Sequence, residues 1–272
     1  MRTLVLTLLL LPCAARAADP APALAVPSLD EIKAKASGGD AGAQLRLAMY
    51  LDSGLYVKQD QAEAVKWFLK AAEQGDPEAR FSLARHYMEG SGAARNVPEA
   101  VRWYKKAAAE NNYMAAQMNL AALYRAGNGV RKDLKEAARW TRKAADQGDS
   151  LAERAMADLY FNGTGVKKDP AAAAEWYRRS ALRGDTAAQR LLAAQYAEGM
   201  GVARNHGTAY KWFSIAAMNG DTEAIAGRDA AAAGLNKAQL DDAALAAEQL
   251  NARIQKAAKE MFTYPHPQMV TE

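Results

Sequence analysis

The sequence predicts an all-α fold, a solenoid of tandem helix-turn-helix units closed by a C-terminal helix. Three observations carry that prediction. The five tryptophans, Trp67, Trp103, Trp140, Trp176 and Trp212, lie 36, 37, 36 and 36 residues apart, and a repeat of this length is that of a stacked helix pair. Gly-Asp recurs at Gly39-Asp40, Gly75-Asp76, Gly148-Asp149, Gly184-Asp185 and Gly220-Asp221. Alanine is abundant and long β-branched runs are absent, a balance that favours helix.

The first residues read as a secretory signal, residues 1–17. Arg2 gives the charged start, Leu4 to Leu11 the short apolar run, and Ala15-Arg16-Ala17 the small-x-small cleavage pattern. The run is too short to span a bilayer as a mature helix. No other stretch approaches that length, so no transmembrane segment is expected in the mature chain. Cys13, the one cysteine, lies inside the signal behind Pro12, where a lipoprotein signal needs a small residue; ordinary cleavage is therefore preferred. A mature chain without cysteine has no disulfide and must be held by packing. The expected location is the periplasm, with secretion as the alternative. The formal charge of +4 falls to about +2 without Arg2 and Arg16, which argues against nucleic acid as a partner.

Residues 18–38 form a leader rich in Pro and Ala followed by a short helix opened by the capping box Ser28-Leu-Asp-Glu31. Residues 39–226 hold five repeats, 39–74, 75–110, 111–147, 148–183 and 184–219, and the start of a sixth. In four of the five units the glycine of Gly-Asp ends the previous helix and the aspartate caps helix A. Helix A carries a small residue at Ala48, Ala84, Ala121, Ala157 and Ala193, flanked by Leu47, Leu83, Leu120, Met156 and Leu192 on one side and Leu51, Tyr87, Tyr124, Tyr160 and Tyr196 on the other. The small slot admits helix B closely, and the large slots share its face. A Gly-x-Gly-Val turn follows at Gly127, Gly163 and Gly199. It weakens to Gly90-Ser-Gly92-Ala93, and Tyr56 replaces the second glycine in the first unit. These are reversing turns and no phosphate cradle, since no strand precedes them. Helix B opens on Asp60, Asn96, Asp133, Asp169 or Asn205 and carries the tryptophan, expected to be a buried anchor in every unit. An aromatic follows it except at Thr141, and Lys70, Lys106 and Lys143 suit the helix C-terminus.

The 37-residue step places an extra residue between Trp103 and Ala116, where Glu110-Asn-Asn-Tyr-Met114 replaces Gly-Asp. Asn111 or Asn112 is expected to take the left-handed position. The insertion is either a tolerated loop or a local change of curvature. Beyond the repeats, residues 227–261 are expected to cap the stack. One long helix runs from Lys237 to about Met261 with Leu240, Leu245, Ala246, Leu250 and Ile254 inward, and residues 262–272 form an irregular tail.

The pattern Ala-Gln-x-x-Leu-Ala-x-Leu-Tyr-x-x-Gly-x-Gly-Val-x-x-Asp, then Trp-Tyr-x-x-Ala-Ala-x-x-Gly, resembles the Sel1-like repeat, a relative of the tetratricopeptide repeat. The third unit, from Ala116-Gln117 to Asp133, follows it almost position for position. The resemblance implies a right-handed solenoid whose A helices line a concave face. It implies a role as a non-enzymatic adaptor or regulator that binds another protein or peptide of the bacterial envelope, acting as a monomer and without a cofactor. Relatives are implicated in envelope-stress or exopolysaccharide signalling and in scaffolding secretion or motility assemblies.

By that resemblance the groove positions lie three before, one after and four after each small alanine. They are Leu45, Met49 and Asp52; Phe81, Arg85 and Met88; Met118, Ala122 and Arg125; Arg154, Asp158 and Phe161; and Arg190, Ala194 and Ala197. Of these, Leu45, Met49, Phe81, Arg85, Met88, Met118, Arg125, Arg154, Asp158, Phe161 and Arg190 are the candidate partner contacts. Methionines suit an adaptable surface, and the arginines suit carboxylates. The competing reading packs Leu45, Phe81 and Met118 between A helices and pairs the arginines with acids of this chain.

Catalysis and metal binding have little to draw on. His86, His206 and His266 are far apart, and no HExxH or Cys-His spacing exists. Some cysteine-rich relatives are linked to penicillin binding and β-lactam hydrolysis, but this chain lacks paired cysteines and any Ser-x-x-Lys. A weak hydrolase of β-lactam or peptidoglycan fragments, and a secreted host-interaction factor, are the alternatives. Asn162-Gly-Thr164 matches a glycosylation sequon within a repeat turn.

Overall fold

A computed structural model describes residues 28–263, with side chains to residue 260. The signal, the leader before Ser28 and the tail from residue 264, with Cys13 and His266, lie outside the described residues. The described residues form thirteen helices and no strand. After α1 (Leu29–Ser37) come five pairs. They are α2 (Ala41–Ser53) with α3 (Gln61–Glu73), α4 (Pro77–Glu89) with α5 (Val97–Glu110), and α6 (Met114–Ala126) with α7 (Leu134–Ala145). Then come α8 (Ser150–Asn162) with α9 (Pro170–Leu182), and α10 (Thr186–Glu198) with α11 (His206–Met218). Last are α12 (Ala224–Ala232) and α13 (Lys237–Thr263). Up to α11 each helix packs chiefly on its neighbours in sequence, as a linear solenoid requires.

Local chemistry sets the helix ends. Asp60, Asn96, Asp133, Asp169 and Asn205 each cap a B helix through a side-chain bond to its first turn. The cap's own N–H donates back to helix A, to Leu51, Tyr87, Tyr124, Tyr160 or Tyr196, at 2.8–2.9 Å. The large slot after the small alanine thus also fixes the hairpin through its carbonyl. The five small alanines and the residue before each are buried.

The paired glycines of the A–B turn have different jobs. Gly163 is a left-handed C-cap. Gly165, at φ +73°, lies against the preceding unit; a Cβ there would stand 2.0 Å from the carbonyl oxygen of Leu134 in the first turn of α7. Tyr56 keeps the left-handed backbone, φ 65°, without glycine. It opens the stack, with no preceding B helix beside it, and stays exposed.

At the long junction Asn112 takes the left-handed position at φ 52°. The added residue lengthens the last turn of α5, and Tyr113 N–H reaches back to Ala107 where Asp76 N–H reaches Ala71. Tyr113 then stands at the N-cap of α6 without a side-chain cap bond. Asn111 and Asn112 instead tie the junction to its neighbours, accepting hydrogen bonds from the side chains of Arg80 and Gln117, both at 2.7 Å.

Three expectations are corrected. Trp103, Trp140, Trp176 and Trp212 are buried, but Trp67 is half-exposed, since only the short α1 precedes its unit. Asp221 caps no helix: α12 starts three residues later, behind Glu223. In α13 the inward residues are Ala243, Ala247 and Ile254, with Leu240 and Leu250 half-buried. Leu245 is 55% exposed, because two residues from Ala243 is the far side of a helix.

Candidate functional site

The position three before the small alanine meets the start of the next unit. Arg154 Nε donates to Asp185 Oδ2 at 3.0 Å, and Arg190 Nε to Asp221 Oδ2 at 2.9 Å, with Glu223 at 3.0 Å from its Nη2. Asp185 also caps α10 through its other oxygen. Where Tyr113 replaces that aspartate, Phe81 replaces the arginine. Its ring centroid lies 5.4 Å from that of Tyr113 and 5.6 Å from that of Tyr104. Leu45 and Met118 are half-buried against the core.

The next position gives the face its exposed members. Met49 is 43% exposed. Arg85 pairs with Asp52 at 3.0 Å and with Glu89 at 3.8 Å. Asp158 accepts the Tyr177 phenol at 2.5 Å; burial, then this carboxylate, pushes that phenol far above its ordinary pKa. Four after the alanine, Met88 and Phe161 rest half-buried on the core. Arg125 is exposed, with no ion pair among the described residues.

His86 is fully buried beside Phe68. Its Nδ1 lies 2.8 Å from the carbonyl of Ser91, which fixes the proton on Nδ1. Its Nε2 faces Asp52 Oδ1 at 3.4 Å without a hydrogen bond. No group of His, Cys, Asp and Glu that could hold a metal occurs among the described residues.

Two arrays were missing from the sequence reading. One is a buried polar ladder at Gln44, Arg80, Gln117, Glu153 and Gln189, which keeps the tryptophan spacing. Four members donate to a carbonyl at the end of the preceding helix, at Ala36, Ala72, Ala108 and Ala181. Each also bonds the residue ending helix B of its own unit: Gln74, Glu110, Gln147, Arg183 or Asn219. At Glu153 the polarity is reversed, and this fully buried carboxylate holds Arg179 and Arg183, both at 3.1 Å. The signal was the Gln of Ala-Gln, visible in the repeat pattern but given no role. The other array sets Lys70, Lys106, Lys143 and Arg179 over the tryptophan three residues earlier, 3.8–4.5 Å from the ring centroids.

Tandem helical hairpins, one side chain grammar, and variable residues along the A helices define the class: an α-solenoid of the protein-interaction type. The chain belongs to the Sel1 repeat family, whose model matches residues 41–76, 77–112, 115–149, 150–185 and 186–221. Among solved structures it is similar to a Sel1 repeat protein from Oxalobacter formigenes, at 39% identity and TM-score 0.64 over 69% of this chain and 77% of that one. It is also similar to a protective antigen of uropathogenic Escherichia coli that displays the same repeat fold. There the identity is 32% and the TM-score 0.68, over 89% of this chain but only 52% of the antigen. No curated protein matches the chain.

Proposed function

We propose that this protein is an exported, non-enzymatic adaptor or regulator of the bacterial envelope, which holds another protein along the face lined by its A helices. One observation carries the reading. The small and large packing slots of helix A repeat the same residue types through five units, whereas the position after the small alanine runs Met49, Arg85, Ala122, Asp158, Ala194, and the position four after it runs Asp52, Met88, Arg125, Phe161, Ala197. A frame that is fixed while one face varies suits recognition more than architecture. Sel1 repeats are protein-interaction modules in general, and the envelope location rests on the signal-like first residues. Met49 and Arg125, with the small Ala122 between them in the series, are the members of this face left exposed and without an ion pair.

Crosslinking in intact cells followed by capture of this protein tests the proposal. Met49→Glu with Arg125→Glu should lose the partner while keeping helix content. Unchanged capture would refute the groove. Fractionation tests the location, since protein found only in the cytoplasm contradicts export. Nitrocefin turnover that a point mutation abolishes would overturn the non-enzymatic reading.

A further inference from the structure

We infer a second contact surface on the edge of the stack, where the A–B turns of units three and four present an excess of cations, free of ion pairs, that fits an acidic peptide segment. Arg131, Lys132 and Lys135 follow one turn, and Lys167 and Lys168 follow the next. All five are exposed, and none makes an ion pair among the described residues. Arg131, Lys132 and Lys135 line one cleft with Lys105 and Tyr124, and with the carboxylates of Asp133 and Glu136. The Gly165 contact with the backbone of Leu134 sets the second turn directly on the first turn of α7, which carries Lys135. The two sets therefore lie on adjacent, touching turns, which we take as one strip.

Carboxylates do occur there and keep their charge, but they are outnumbered by the cations and held by local bonds. Asp133 caps α7 with one oxygen accepting from Lys135 N–H and Glu136 N–H. Asp169 caps α9 in the same way through Ala171 and Ala172. Glu136 pairs with Arg139 at 3.3 Å. Elsewhere in the stack arginines find acids, as Arg80 finds Glu110, Arg142 finds Asp146 and Arg190 finds Asp221. The equivalent turn of unit one carries Asp52, Lys58, Asp60 and Glu63, a net negative charge. The cationic character thus belongs to two turns and is no general property of the repeat.

The strip is short, and the protein's formal charge is only +4, which suits a brief run of Asp and Glu better than a nucleic acid. Neither turn has an exposed large apolar side chain, so nothing there would enter a bilayer. The inference deepens the adaptor reading and rests on it: the same partner, or a second one, would be held by charge at the edge.

The probe is a labelled octaglutamate peptide, followed by fluorescence anisotropy with the purified protein. Binding should weaken as salt rises, and Arg131→Glu with Lys168→Glu should weaken it by about tenfold or more. The same charge change on α1, Lys33→Glu with Lys35→Glu, should leave it within about twofold. Absence of saturable binding, or equal loss in both variants, would overturn the inference. Tighter binding of single-stranded DNA or of phosphatidylglycerol vesicles than of the peptide would do so as well. Capture in cells separates this edge from the groove. A partner kept by Arg131→Glu with Lys168→Glu but lost by Met49→Glu with Arg125→Glu removes the edge and leaves the adaptor reading standing.

Discussion

Glu153 is the residue whose environment is most demanding. A carboxylate without solvent contact costs several kcal/mol to bury unless it is paired, and here two guanidiniums do the pairing. Both are more than two-fifths exposed, so water screens part of the attraction. Glu153→Ala is expected to cost about 2 kcal/mol in urea unfolding, since it leaves the two arginines unpartnered over a cavity. Glu153→Gln restores the residue found at Gln44, Gln117 and Gln189 and is expected to cost less than about 1 kcal/mol. Equal losses in the two variants would show that the ladder is no interchangeable device. Tyr177 gives a pH signature. Its phenol is neutral and donating in the fold, and burial with Asp158 raises its pKa. A group raised in the folded state contributes stability that is whole below its unfolded pKa and is lost as pH rises beyond it. Stability of the wild type should therefore fall above about pH 10 more steeply than that of Tyr177→Phe. Parallel pH profiles would exclude Tyr177 as the source.

Individual turns and helices show where sequence was a sufficient guide. The caps, the A–B turns and the long final helix are local features, each decided by a few adjacent residues, and the chain spells them out. The separate roles of the two turn glycines were not legible, because the contact that requires Gly165 comes from the preceding unit. Gly165→Ala combines a left-handed backbone with a clash against a carbonyl and is expected to cost at least about 2 kcal/mol in thermal or urea unfolding. Gly163→Ala meets Lys168 alone, at 3.0 Å from its Cβ and 3.3 Å from its backbone nitrogen, a far milder approach than 2.0 Å, and should cost about 1–2 kcal/mol. The reverse order would refute the inter-unit contact. The candidate groove positions followed from the repeat register, but which of their side chains stay free did not. Arg154 and Arg190 find their acids 31 residues away, and Phe81 finds Tyr113, a pairing that follows the loss of Gly-Asp at the long junction. A residue's spacing tells which face it shares, while its partner across the unit boundary depends on what the next turn happens to carry.

Over the whole molecule, stability is a sum over neighbouring interfaces, so the two ends matter out of proportion to their size. At the N-terminal end α1 covers only part of the first unit, and Trp67 stays half-exposed. Trp103→Ala should therefore cost about 3–5 kcal/mol and Trp67→Ala distinctly less, a comparison read from paired urea titrations. At the C-terminal end α13 runs beside α11, from the His206 end toward Asn219, which it holds through Asn251 and Gln255 at 3.1 and 2.9 Å. Ile254 is buried in the core that includes Trp212, Phe213 and Ile215. A chain stopped before Lys237 would leave that side of α11 in water. Solenoid units exchange stability only with those beside them, so the loss should be graded along the stack. Amide exchange should accelerate strongly in α10 and α11, weakly in α8 and α9, and not detectably in α2 to α5. If the first units were loosened as much as the last, the molecule would be one cooperative block. The proposed edge and groove surfaces could not then be altered independently.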